Sequence, residues 1–226
     1  MNSPLLLLHG AIGAADQLQV LRAVPKTSFV FDFPGHGGKA FPEEPFSIRV
    51  FADSVLRWMD ENEFATVDIF GYSMGGYVAL YMARHYPGRV GRVFTLATKF
   101  AWDEVTAAKE VKMLNPEKIA EKVPKFAAAL EKRHAPLDWK EVLQRTADLM
   151  LTLGKNPALT KEDFAAITHP VLLSVGDRDT MVSMEETMQV YRALPDAQFL
   201  VFPNTVHPIE QVNLQQLLPA MELFLG

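Results

Sequence analysis

Gly71-Tyr72-Ser73-Met74-Gly75 sets one hydroxyl in a run with a glycine two residues to either side. Val67, Ile69 and Phe70 before it read as a short buried strand. Tyr77, Val78, Met82 and Ala83 after it recur at helical spacing. A serine at a tight strand-to-helix turn projects its oxygen from the top of the sheet, and the flanking glycines avoid a Cβ clash between strand and helix. This is the geometry of a nucleophile. A serine hydroxyl is weak at neutral pH, so it needs a base to take its proton and a third group to orient that base.

Six histidines compete for the base. His9 and His36 lie in loops at strand ends, ahead of the serine, and are expected to brace turns. His85 falls about three turns along the elbow helix, on its surface. His134 ends a helix, where a cation suits the dipole. His169 precedes Pro170 at the wrong end of a strand. His207 alone sits in a loop just after a strand, downstream of the serine, and is the expected general base. For the orienting acid, Asp177 and Asp179 both follow the strand at 171–175. Asp179 lies further along the loop toward His207, whereas Asp177 is better placed to bond turn backbone. A developing oxyanion needs two donors. Met74 N–H, at the helix start, and Ala11 N–H, in the loop after the first strand, are the candidates.

These groups need elements to carry them. Leu5 to Leu8, Phe29 to Phe31, Val67 to Phe70, Val93 to Leu96, Val171 to Val175 and Gln198 to Phe202 read as short apolar strands. Between them run helical stripes. Asp16 is a candidate cap for a helix to Val24, Ser47 for one to Glu61, and Ser183 with Glu186 forms a capping box. Pro219 is expected to kink or delay the last helix. Strands alternating with helices predict an α/β fold: three layers around a mostly parallel sheet of about six strands, with function at the carboxyl ends.

Residues 100–165 break the alternation with a helical insert. It carries 11 basic and 11 acidic residues, so the net charge of −5 lies outside it. Helices are expected over Pro116–Val123, Pro124–His134 and Asp138–Leu153, the last with Asp138 and Glu141 as a capping box and Gly154 as its stop. The expected organisation is a core of 1–99 and 166–226 under an insert at 100–165. Phe100, Trp102 and Tyr77 are candidates for a substrate pocket; ordinary packing between insert and core is their competing role.

The 226 residues are 49% apolar, enough for a sizeable core. The acidic balance gives no reason to expect nucleic acid. With no cysteine there is no disulfide, thiolate nucleophile or cysteine metal site. No HExxH string appears, and Gly35-His36-Gly37-Gly38 lacks the strand–helix frame of a dinucleotide fingerprint. A protein needing no cofactor or metal, cytoplasmic, not membrane-bound, and monomeric or homodimeric, is the expectation.

HGAIG, DFPGHG, GYSMGG, GDRD and VHP, in this order, resemble the α/β-hydrolase superfamily across nearly the whole chain except the insert. The resemblance implies Ser73, Asp179 and His207 as a triad in the usual chain order, Ala11 and Met74 as the oxyanion hole, and a cap after the fourth strand. Typical members begin with an extra antiparallel strand pair. Its absence implies a trimmed six-stranded sheet with an exposed first edge. GYSMGG also resembles a pyruvate-eliminating synthase of menaquinone biosynthesis, but Tyr77 stands where that branch has arginine. Ser73 excludes an aspartate nucleophile. The expected activity is a carboxylesterase-like serine hydrolase acting on a small ester or thioester through an acyl-enzyme. The alternatives are a carbon–carbon hydrolase or lyase on the same triad, and a non-catalytic small-molecule-binding version of the fold.

Overall fold

The four leucines of β1 (Leu5–Leu8) are all buried, and they divide between two cores. Leu6 and Leu8 pack into one apolar cluster, Leu5 and Leu7 into another. Side chains alternate across a strand, so these clusters lie on opposite faces of one sheet. A strand buried on both faces has no polar position, which is why it reads as an unbroken apolar run.

The computed structural model describes residues 3–226. Five further strands complete the sheet: β2 (Ser28–Phe31), β3 (Val67–Tyr72), β4 (Val90–Leu96), β5 (Val171–Gly176) and β6 (Ala197–Phe202). Their order is β2-β1-β3-β4-β5-β6, and every pairing is parallel. The exposed edge on the β1 side is β2; β1 itself is flanked by β2 and β3. The chain leaves β1 for β2 and returns on the other side to β3. Strand order therefore reverses between β1 and β3, and the loops above that point diverge to open a crevice.

On one face lie α1 (Ile48–Glu61), α2 (Met74–His85) and α8 (Met184–Ala193). On the other lie a 3-10 segment (Ala15–Ala23) and α9 (Leu214–Leu225), which runs through Pro219 with its start undelayed. Ser47 and Ser183 cap their helices by accepting from Val50 and Glu186 N–H. Asp16 does not cap. Ala14 takes that position, its N–H donating to Gln17, and Ala15 N–H donates to Asp32.

Between β4 and β5 stand α3 (Glu104–Glu110), α4 (Pro116–Lys122), α5 (Pro124–His134), α6 (Trp139–Lys155) and α7 (Lys161–Ala165). The segment has a small apolar cluster of its own, built on Ile119, Ala127, Leu130, Trp139 and Leu143. The end of α6 and α7 instead feed Leu149, Leu153 and Phe164 into the main core. Asp138 caps α6 through Lys140 N–H. Gly154 is no stop. It lies inside α6, and a Cβ there would meet Ala107 and Asp103, so the glycine admits close packing of α3.

Candidate active site

Ser73 leaves β3 with φ 51° and ψ −117°, a conformation rare for a residue with a Cβ. The surrounding backbone enforces it. Ser73 N–H donates to Leu96 O at 2.8 Å, and Thr98 Oγ donates to Ser73 O at 3.0 Å. A Cβ at Gly71 would strike the backbone of Gly75 and Gly76; one at Gly75 would strike the carbonyls of Leu8 and His9. Strand, turn and helix thus pack tightly enough to hold the hydroxyl up at the carboxyl end of the sheet.

His207 follows β6. Its Nδ1–H donates to Asp179 Oδ2 at 2.8 Å, leaving Nε2 to accept. Asp179 Oδ1 accepts from the N–H groups of Met181 and Val182, both at 2.8 Å. Burial pushes this carboxyl up. The His207 hydrogen bond and charge, with the two backbone donors, outweigh that and hold it below the ordinary range. Asp177 is exposed; Asn204 and Thr205 N–H groups stabilise its charge and lower its pKa, and Thr205 N–H donates to it at 3.1 Å. The two aspartates divide as their loop positions suggest. Tyr72 adds a support that sequence reasoning missed: its hydroxyl donates to His207 O at 3.0 Å.

Ser73 and His207 line one cavity of about 580 Å³. Ser73 Oγ makes no hydrogen bond among the described residues. Ala11 and Met74 line the same cavity, and neither N–H has a protein acceptor among the described residues. Met74 N–H is free because it opens α2. Ala11 N–H is aimed by its own peptide. His9 Nδ1–H, at 2.8 Å, and Gly13 N–H, at 3.1 Å, donate to Gly10 O, and a trans peptide directs its N–H the opposite way. Phe33 N–H donates to His9 Nε2 at 3.2 Å, fixing the tautomer. Burial and the neighbouring His36 keep His9 neutral, its pKa far below the ordinary value.

Of the three pocket candidates, Trp102 and Tyr77 line the cavity. Tyr77 OH accepts from Leu159 N–H at 3.0 Å, and burial raises its pKa to about 12. Phe100 does not line it. Its ring packs on Tyr77 and Phe164 in the main core while its N–H donates to Glu186. The remaining wall is mostly apolar: Ile12, Ile48, Leu114, Leu149, Met150 and Val182.

His134 is not the helix-end cation expected. It is fully buried, and burial lowers its pKa. Gly37 N–H donates to Nδ1 at 3.3 Å and Nε2–H donates to Ile12 O at 3.0 Å. Its partners lie about 100 residues away, so no local signal identifies them. Among the described residues no three His, Asp or Glu side chains gather as a metal site.

The profile of the alpha/beta hydrolase fold family matches residues 3–147. A pimeloyl-[acyl-carrier protein] methyl ester esterase of Neisseria meningitidis serogroup C is 29% identical over 199 residues, 78% of this chain and 74% of the relative. Among solved structures, a thermophilic esterase from Thermogutta terrifontis matches with TM-score 0.77 at 23% identity, covering 100% of this chain and 90% of that one. The enol-lactonase of Burkholderia xenovorans LB400 matches with TM-score 0.76 at 17% identity, covering 100% and 92%. At these identities the two structures speak for the fold alone.

Proposed function

The chain belongs to the α/β-hydrolase fold family, and from that premise we propose that it is a serine esterase working through an acyl-enzyme on Ser73. The observation that carries the reading is the 2.8 Å bond from His207 Nδ1–H to Asp179, with Ser73 on the wall of the same cavity in a strained backbone conformation.

Ser73 Oγ attacks the ester carbonyl while His207 Nε2 takes its proton. Asp179 holds the imidazole in the required tautomer and stabilises the imidazolium. The carbonyl oxygen becomes an oxyanion between Ala11 and Met74 N–H; one such donor is worth about 3 kcal/mol of barrier. The imidazolium protonates the departing alcohol. Water, deprotonated by His207, then releases the acid and restores Ser73. Residues 100–165 act as a cap on a core of 1–99 and 166–226, supplying the apolar wall opposite the serine. Support for an acyl ester as substrate comes from that wall and from the meningococcal relative, whose name specifies a methyl ester.

Fluorophosphonate labelling with a panel of p-nitrophenyl esters tests this. Wild type should label and turn over at least one ester, and Ser73→Ala should do neither. Equal labelling of Ser73→Ala overturns the reading. Labelling at Ser73 with no ester cleaved points to other chemistry on the same triad.

A further inference from the structure

Ile12 has φ 52°, although a β-branched side chain makes the left-handed region especially costly. Two groups of the insert meet it there. Its carbonyl accepts from His134 Nε2–H at 3.0 Å and from Arg133 Nη1 at 3.4 Å, both at the end of α5. Its side chain packs against the insert's own apolar cluster, built by α4, α5 and α6. Ile12 directly follows Ala11, which lines the cavity and whose N–H has no protein acceptor among the described residues.

We propose that His134, aided by Arg133, is a positioning residue for the oxyanion hole: it holds Ile12 in its strained conformation from the insert and so keeps Ala11 N–H aimed at the reacting carbonyl. The inference rests on the esterase reading above.

The argument is local. The Gly10–Ala11 peptide is held at its carbonyl by His9 and Gly13, both on the core side. The next carbonyl but one, that of Ile12, is held from the insert. Without the His134 donor, that carbonyl loses its shorter bond and the strained φ has less to oppose its relaxation. Ile12 C=O and Gly13 N–H belong to one peptide, so relaxation at Ile12 displaces the Gly13 donor that holds Gly10 O and, through it, the Gly10–Ala11 peptide that carries the Ala11 N–H. His134 can serve because Gly37 N–H occupies Nδ1, leaving the proton on Nε2 where Ile12 needs it. The link also makes the hole's geometry dependent on a seated insert, so chemistry proceeds only with the pocket assembled.

The test compares His134→Phe, which keeps a ring but no donor, with His134→Gln, which returns an N–H near the Nε2 position. His134→Met, of similar reach without a donor, replaces Phe should that variant not fold. Rates are normalised to sites titrated by fluorophosphonate. The donorless variant should lose about tenfold to a hundredfold in kcat with KM within about threefold, below the loss of a whole oxyanion donor. The Ki of a trifluoromethyl ketone, whose adduct places an oxyanion between Ala11 and Met74, should rise by the same factor. His134→Gln should recover most of both. A purely structural role would lower active-site titre and stability and leave normalised kcat and Ki alone; that result overturns the proposal, as does a fall in kcat without a matching rise in Ki. Wild type that fails to label at all overturns the esterase reading itself. Wild type that labels beside an unaffected His134→Phe overturns only the role of His134.

Discussion

Asp177 and Asp179 stand two residues apart with different partners, and kinetics should separate them. Asp179→Asn leaves the imidazole without its carboxylate and favours the wrong tautomer. The expected loss in kcat is about a thousandfold or more with KM little changed. Asp177→Asn, at an exposed turn, should leave kcat within about threefold. Assay of both variants on one p-nitrophenyl ester decides it. The buried histidines set acid stability. His9, His36 and His134 all have pKa values lowered by burial, His36 to about 3. Unfolded, each binds a proton below about pH 6.5. Below that pH the unfolded state holds more protons, so stability present at pH 7 falls as pH drops from about 6.5 toward 3. His36 should contribute on the order of 1 kcal/mol per pH unit in that window, and His9 and His134 act in the same direction. Urea unfolding across it should show the slope, and His36→Phe should reduce it by about one proton. Positions were legible where a loop follows a strand directly: His207 meets Asp179, and Ser73 shares a cavity with His207. His134 was misread because a helix-terminal histidine is usually exposed, and its burial comes from docking on two distant loops.

Elements were legible where burial dictates pattern. β1 and β5, buried along their whole length, show as apolar runs, and serine caps mark α1 and α8. The failures have local causes. Ala15–Ala23 carries helix-like spacing but winds as 3-10, tied at its start to Gln17 and Asp32 instead of a capping Asp16. Gly154 looked like a terminator because glycine ends helices; here it makes room for α3. α3 and α7 are too short, at 7 and 5 residues, to show a periodic stripe. The elbow glycines give the sharpest test at this scale. Gly71→Ala would force a methyl into the backbone of Gly75 and Gly76, which no side-chain rotation relieves. Overpacking of this kind costs about 3 kcal/mol or more, seen as a lower urea midpoint or loss of soluble protein. Gly88→Ala is the control. Nothing lies within 4 Å of a Cβ there, and stability should change by less than about 0.5 kcal/mol.

At the level of the whole molecule, core and insert meet around the cavity, and its wall belongs to both. Ser73, Met74, Ile48 and His207 come from the core; Leu114, Leu149 and Met150 come from the insert. Sequence alternation marked where helices replace strands between β4 and β5, although the end of α6 and α7 pack into the main core. It was silent on the docking, because Ile12 seats in the insert's cluster and His134 seats on core loops through contacts no local pattern encodes. The proposed catalytic groups stand at strand ends and part of the cavity wall stands on helices, so mutation can address the two separately. Met150→Trp adds bulk to that wall from α6, an element that carries none of Ser73, His207, Ala11 or Met74. If the insert sets chain length, kcat/KM for an octanoyl ester should fall at least about tenfold, while an acetyl ester, needing none of the displaced volume, should stay within about threefold. A parallel fall in both would place the acyl chain elsewhere and leave α6 a structural partner of the core. No change in either would mean that the acyl group never reaches α6.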